Sequence, residues 1–106
     1  MHTKKKLRFL RKWFDDYCLA FESEDPKKAY AYELKYQHTM RVCKAALDIG
    51  RHAELEDYTL RLAETSALFH DLGRFEQFSR YSTFSDGKSV NHADLALEIL
   101  RQYDVL

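Results

Sequence analysis

The sequence predicts an all-α protein, built as a helical bundle of about four helices. Glycine and proline are scarce, with three glycines and one proline in 106 residues. Over long stretches, apolar residues recur at three- and four-residue steps, which is the period of an amphipathic helix. The few helix start and stop signals fall between these stretches. These observations together favour an all-α protein.

The first predicted helix runs from about Lys4 to Glu22 and makes residues 1–24 an N-terminal amphipathic segment. A single apolar stripe supports it, formed by Leu7, Leu10, Phe14, Tyr17, Cys18 and Phe21. Such a stripe is the face that a surface helix buries against a core.

The second predicted helix has clear signals at both ends. Asp25 is suited to the N-cap, and the fixed φ of Pro26 suits the first turn of a helix. Gly50 follows Ile49 and is of the type usually found just beyond the end of a helix. One side of this helix, predicted to face inward, carries Leu34, His38, Arg41, Val42, Ala45 and Ile49.

The third predicted helix runs from about Glu56 to Phe69 and leads into His70-Asp71-Leu72-Gly73, where Gly73 marks the stop. Residues 74–88 are predicted to form a loop rich in aromatic residues, whose rings either pin the loop to the core or line a pocket; we favour packing. Ser89 or Asn91 would then cap a last helix.

Bulk composition excludes some classes of function. The formal net charge is zero, which disfavours a protein devoted to nucleic acid, although residues 4–12 are basic. Cys18 and Cys43 are too few for a disulfide framework and are expected to be reduced, structural thiols. No apolar run approaches the ~18 residues that a membrane span needs. The cytoplasm is therefore the expected location.

Three residues carry a pattern suited to binding a metal ion. His38 lies in the middle of a predicted helix, and the adjacent His70 and Asp71 lie at the end of another. Taken singly, each histidine is more typical of a hydrogen-bonded core residue. Taken together, two imidazoles and a carboxylate are ligands suited to Zn, Fe, Mn or Ni, and such a set leaves positions open for water and substrate.

Two segments resemble the first two motifs of the HD superfamily of metal-dependent phosphohydrolases. They are residues 37–42, Gln-His-Thr-Met-Arg-Val, and residues 67–74, Ala-Leu-Phe-His-Asp-Leu-Gly-Arg. Residues 75–100, which include Arg-Tyr-Ser-Thr-Phe-Ser-Asp at 80–86 and Ser-Val-Asn-His-Ala-Asp at 89–94, are similar to one bacterial branch of that superfamily. The resemblance covers roughly residues 30–100 and implies an HD-type helical bundle.

The resemblance also implies roles for individual residues. His38, His70 and Asp71 match the metal ligands, and His92 matches a histidine that binds a second metal in some members. Asp71 and Arg74 match catalytic positions: Asp71 would orient the attacking water, and Arg74 would hold the substrate phosphate. The cofactor would be a divalent Fe, Mn, Zn, Ni or Mg ion, and the substrate a phosphorylated small molecule or nucleotide. Without the resemblance, Arg74 is a helix-end charge and His92 a capping or packing residue.

One departure from the family pattern keeps a second hypothesis open. That pattern closes with an aspartate on a later helix, whereas here Asp94 and Asp104 are the only aspartates after His92 and both come early. We therefore expect one domain over 1–106, truncated relative to the pattern, with the metal site in 25–106 and weakened activity. The alternative is a non-catalytic helical module that binds a ligand or forms a homodimer through an exposed groove.

Overall fold

The computed structural model of the chain describes residues 4–103, with the side chains of residues 6–103. This part of the chain is all-α and contains no strand. Its elements are α1 (Lys4–Leu19), α2 (Pro26–His52), α3 (Asp57–Phe69), α4 (Leu72–Tyr81) and α5 (His92–Gln102), with one short 3₁₀ turn, Asp86–Lys88, between α4 and α5. The predicted fold class is confirmed. No described helix has the length and apolar character that crossing a membrane requires.

The bundle consists of two main helix pairs joined around one core. α2 packs along α3, and α4 packs along α5, while α1 lies against α3. Phe14 of α1, Leu68 of α3 and Phe75 of α4 are almost completely buried and meet at the centre. The predicted stripe of α1 is confirmed, because each of its members is buried or packs against this core.

A buried charged group also fastens α1 to α3. The Glu64 side chain of α3 is 6% exposed and accepts hydrogen bonds from Nε and Nη2 of Arg11 at 3.1 and 2.9 Å. Arg61, one turn earlier on α3, adds a contact of 3.3 Å from its Nη1. A buried carboxylate is stable only when it is paired in this way, so the pair fixes how α1 docks.

Two helix ends differ from the sequence prediction. α1 stops at Leu19, short of Glu22, because the amides of residues 20–22 bond to carbonyls three residues back, which tightens the chain out of α-helical geometry. α2 continues through Gly50 to His52, so Gly50 is not a residue beyond the helix. Its role is close packing, since a Cβ there would lie 2.5 Å from Cδ1 of Leu60 on α3. The positive φ of 60° that follows α2 belongs to Glu54.

The predicted inward face of α2 is also wrong in part. Leu34, Arg41, Ala45 and Ile49 are exposed, and the residues that α2 buries are Ala31, Tyr32, Thr39, Cys43 and Gly50. The exposed residues and the buried residues of α2 both recur at helical spacing, so spacing alone did not identify the packed side. The buried side is made largely of small residues, which allow α3 to approach closely.

Residues 72–81 form helix α4, which corrects the prediction of a loop over 74–88. The aromatic residues Phe75 and Phe78 are three residues apart and form the packed side of α4, so their spacing was a helical signal. The interpretation as packing groups holds for three of the four predicted rings: Phe75 is 1% exposed, and the rings of Phe78 and Phe84 lie 4.6 Å apart. It is wrong for Tyr81, which is exposed. α4 ends where Ser82 adopts a left-handed conformation with φ of 54°.

Gly73 lies inside α4 and is the point where α5 comes closest to it. A Cβ at this position would collide with the backbone carbonyl oxygen of His92 and would lie 3.0 Å from the amide nitrogen of Ala96. The glycine is therefore required by space between two backbones rather than as a helix stop. The start of α5 is fixed as expected, because the Asn91 side chain accepts hydrogen bonds from the amides of Ala93 and Asp94.

Gly73→Ala is expected to destabilise the fold by about 2 kcal/mol, because the collision is with backbone atoms that cannot rotate away. Urea unfolding followed by circular dichroism would measure the change in the free energy of unfolding. Gly87→Ala is the matched control: a Cβ there would have only Ser85 Oγ nearby, at 3.9 Å, so a change within about 0.5 kcal/mol is expected. Equal stability of the two variants would contradict the close approach.

Both cysteines are free, as predicted, and their thiols are expected to be unreactive in the folded protein. Burial raises the pKa of Cys18 to about 12, with a further contribution from Asp15, and burial also raises the pKa of Cys43. Because the thiolate is the reactive species, Ellman's reagent at pH 8 should react slowly with native protein and rapidly with two thiols in guanidinium. Rapid reaction of both thiols in native protein would contradict this packing.

Candidate metal centre

The corner between α3 and α4 brings together the His38, His70 and Asp71 that the sequence singled out. Helix α3 ends at Phe69 and α4 begins at Leu72, so His70 and Asp71 are the two residues of the corner. His38 reaches the same point from the middle of α2, which packs along α3. Because the chain leaves one helix and enters another here, neighbouring side chains can converge on one point instead of diverging around a helix.

The three ligand atoms form a nearly equilateral triangle. His38 Nε2 and His70 Nε2 are 3.4 Å apart, and Asp71 Oδ2 lies 3.6 Å from the first and 3.5 Å from the second. The centre of such a triangle is ~2.0 Å from each corner, which is the usual bond length from zinc to histidine nitrogen or carboxylate oxygen. Among the described residues, these three form the group of potential ligands close enough to share one ion.

The tautomer of His70 suits this arrangement. Its Nδ1 lies 2.6 Å from the backbone carbonyl oxygen of Ala67, which can only accept a hydrogen bond. Nδ1 must therefore carry a proton, and a metal ion would bind through Nε2, which lies toward His38 and Asp71. A hydrogen bond from the far ring nitrogen to a carbonyl is the support that metal-binding histidines usually have.

The spacing around Asp71 favours an ion over direct salt bridges. The Asp71 side chain is only 8% exposed, and five nitrogen-bearing side chains surround it at N···O distances of 3.5 to 3.8 Å, namely Lys35, His38, His70, Arg74 and His92. A direct charge-assisted hydrogen bond would be about 2.7–2.9 Å long. The buried carboxylate therefore has neighbours at a distance that leaves space for a cation among them.

Asp71 presents its two oxygens to different groups. Oδ2 faces the histidine pair, whereas Oδ1 lies 3.7 Å from His92 Nε2 and 3.8 Å from Arg74 Nε. His92 thus approaches the centre from the first turn of α5, but beside the other oxygen. Its second ring nitrogen, Nδ1, lies 2.9 Å from Asp86 Oδ2. A role for His92 as a second-metal ligand stays a prediction.

Arg74 makes structural contacts that the sequence did not predict. Its Nη1 donates to Gln77 Oε1 at 2.9 Å, to Phe84 O at 2.6 Å and to Asp86 Oδ1 at 2.8 Å. The side chain is 17% exposed. The guanidinium therefore holds the segment after α4 against the helix, and its predicted contact with substrate phosphate stays a prediction.

Asp86 and Gln77 complete the support of this segment. Gln77 is fully buried, and its Nε2 donates to Asp86 Oδ1 at 3.0 Å, to Ser89 Oγ at 3.1 Å and to Val90 O at 3.1 Å. The hydrogen bonds from His92 and then Gln77 lower the pKa of Asp86 to about 2. Asp86 thus stays ionised and orients the His92 ring.

Sequence reasoning missed Lys35, Gln77 and Asp86. Lys35 had a usable signal, since it precedes His38 by three residues and so lies on the same side of α2. Asp94, which comes too early in the sequence to match the closing aspartate, is exposed in the first turn of α5. Asp104 lies outside the described residues.

A groove elsewhere in the bundle shares no residue with this centre. It has a volume of about 580 Å³ and lies between α1, α2 and α4. Its lining includes Tyr32, Tyr36 and Phe75 but neither His38, His70 nor Asp71. The candidate ligands are instead at the open corner, where the side chains of His38 and His70 are 42% and 34% exposed.

Comparison with known protein families agrees with the geometry of this corner. A protein-family model described as the HD domain matches residues 36–106, two thirds of the chain, and this match includes all three triangle residues. The chain belongs to the HD-domain family. Neither a search of curated proteins nor a search of solved structures found a match. The HD superfamily includes metal-dependent phosphohydrolases, which is consistent with the His–Asp cluster.

Purified protein is expected to bind one divalent ion through the triangle, and His70→Ala should weaken that binding at least tenfold. Loss of even a supporting partner of a metal ligand costs ~10–100-fold in affinity. Elemental mass spectrometry after equilibrium dialysis against zinc or manganese would measure the bound metal. His52→Ala, at the exposed end of α2, is the matched control and should retain it. Equal metal content in the two variants would contradict the assignment.

Proposed function

We propose that this chain is a metal-dependent phosphohydrolase in which His38, His70 and Asp71 hold the ion. The single observation that carries the proposal is the triangle of two imidazole nitrogens and one buried carboxylate oxygen with sides of 3.4–3.6 Å. Membership of the HD-domain family supports the reaction class. A divalent ion held there would polarise a phosphoryl oxygen and lower the pKa of an attacking water.

The protein's own groups contribute orientation and charge. Asp71 is fixed by burial, so its Oδ2 oxygen can both bind the ion and accept a hydrogen bond from a water beside it. His70 is held in one tautomer by Ala67, which keeps Nε2 available as a ligand. The exposed sides of both histidines leave the corner accessible to a small phosphorylated substrate.

The fold around the corner determines how well these groups are positioned. Hydrogen bonds from Arg74 and Gln77 hold residues 84–90 against α4. This segment includes Asp86, which contacts His92. A site whose side chains are fixed before substrate arrives avoids an ordering cost during the reaction. We infer that Arg74 acts in this chain chiefly by positioning that segment.

Metal-loaded protein is expected to hydrolyse p-nitrophenyl phosphate or bis(p-nitrophenyl) phosphate, and His38→Gln should lower kcat/KM by roughly 100-fold. His38 is half-exposed, so its loss removes a ligand without opening the core. Asp94→Asn, an exposed position outside the triangle, is the matched control and should keep wild-type activity.

Two results would contradict the proposed function. Hydrolysis that is equal in His38→Gln and wild type would show that the activity arises elsewhere or from a contaminant. Stoichiometric metal with no hydrolysis of any phosphate ester would instead favour the non-catalytic alternative, in which the same centre binds a ligand without turnover.

A further inference from the structure

Lys35 is a cationic group directed at the metal centre that neither the sequence motifs nor the family match assigns. It lies on α2, one turn before His38. Its Nζ is 3.5 Å from Asp71 Oδ2, the same oxygen that forms the triangle with the two histidines. The side chain is 21% exposed, so the ammonium lies at the edge of the centre, within reach of solvent.

Lys35 and Arg74 both border the centre, and they differ in how firmly they are held. The Nη1 of Arg74 lies 2.6 to 2.9 Å from oxygens of Gln77, Phe84 and Asp86, and the side chain is only 17% exposed. The guanidinium could not move toward a ligand without breaking those contacts. Lys35 makes one hydrogen bond to the described part of the protein, the contact with Asp71. Because an ammonium has three donors, two donors of Lys35 remain for a ligand. Lys35 is therefore the cation that is better able to bind an incoming anion.

The contact between Lys35 and Asp71 is also weak enough to be replaced by a contact between Lys35 and a bound ligand. At 3.5 Å it is longer than the ~2.8 Å typical of a charge-assisted hydrogen bond. A divalent ion in the triangle would compete for Asp71 Oδ2 and weaken its attraction for the ammonium. Little interaction would be lost if Lys35 then turned to an oxygen of a substrate.

The ammonium group of Lys35 lies over an aromatic ring. Nζ lies 4.9 Å from the centroid of the Phe84 ring, a distance typical of a cation–π contact. Phe84 in turn packs against Phe78, and its backbone carbonyl accepts from Arg74. The ammonium is thereby kept beside the centre, without a salt bridge strong enough to neutralise it.

We propose that Lys35 binds the phosphoryl group of the substrate at the α2 side of the metal centre, next to Phe84. This inference rests on the proposed function and assigns the phosphate-binding role to Lys35 rather than to Arg74. The ligand is the phosphate group itself, which free phosphate and a phosphate ester share. A phosphomonoester dianion, with three non-bridging oxygens, can meet the ion and the ammonium at once.

The test uses inorganic phosphate as the probe and the metal-loaded protein as the sample. Isothermal titration calorimetry would measure phosphate affinity for wild type, Lys35→Gln and Lys35→Met, and elemental mass spectrometry would give the metal content of each sample. Lys35→Met removes the charge but keeps a long side chain of similar shape, and it is the second variant should Lys35→Gln fold poorly. Lys44→Gln is the matched control, because Lys44 lies on the same helix but is 79% exposed and pairs with Asp48.

Loss of the ammonium should weaken phosphate binding by about tenfold or more, as expected for one hydrogen bond to a charged group. Metal content should stay at the wild-type value, and Lys44→Gln should bind phosphate as wild type does. With a phosphate ester as substrate, the Lys35 variants should raise KM more than they lower kcat. A purely structural role for Lys35 would not raise KM more than it lowers kcat while the metal content stays constant.

Other outcomes separate this inference from the proposed function. Unchanged phosphate affinity in metal-loaded Lys35 variants would overturn the role of Lys35 and leave the phosphohydrolase proposal standing. Loss of metal together with the lysine would make Lys35 a residue that maintains the metal centre, which also overturns the inference. Absence of metal from wild type would overturn both proposals.

Discussion

The Asp71 carboxylate is buried at the corner between two helices, and the arrangement of the candidate site depends on it. A buried negative charge is costly unless charged or hydrogen-bonding partners compensate it. Here the surrounding groups come from three helices, with Lys35 and His38 on α2, Arg74 on α4 and His92 on α5. All of them remain at 3.5 Å or more, so the charge is surrounded but not neutralised by contact. A divalent ion bound directly to the carboxylate would compensate its negative charge at a shorter distance than these side chains do.

Close helix packing makes this convergence of side chains possible. Gly50 lets the start of α3 pack closely on the end of α2, and His38 and His70 meet at the opposite end of the same helix pair. Gly73 lets the start of α5 approach α4, which places His92 beside Asp71. A Cβ at Gly73 would meet backbone atoms of α5, so α5 would have to move away from α4, whereas a Cβ at Gly50 would meet the end of the flexible Leu60 side chain. Gly73 thus links helix packing to the position of His92 beside the centre.

Much of the fold could be predicted because its signals are local. Asp25 and Pro26 define the start of α2, Asn91 caps α5, and the apolar stripe of α1 is buried as its period indicates. The His70–Asp71 corner was also visible in the sequence, since a helix pattern ends there. These features depend on residues within one or two turns of each other, where propensity and spacing carry most of the information.

The features that could not be predicted from the sequence depend on contacts between residues that are distant in sequence. Gly50 and Gly73 were predicted to end helices, because the alternative reason for a glycine, a backbone passing close by, belongs to another helix. α4 was missed because its short aromatic stripe was interpreted as loop packing. The spacing of Lys35 from His38 placed it on the correct side of α2 but did not assign it a role, since a lysine on an amphipathic helix is usually solvated. Its importance follows from Asp71, thirty-six residues away.

The most direct test of the central claim is a crystal structure of the zinc-loaded protein with an anomalous difference map at the zinc edge. The account predicts one peak inside the triangle, ~2.0–2.2 Å from His38 Nε2, His70 Nε2 and Asp71 Oδ2. A map without that peak, in a crystal where His38 and Asp71 bond directly to each other, would contradict it.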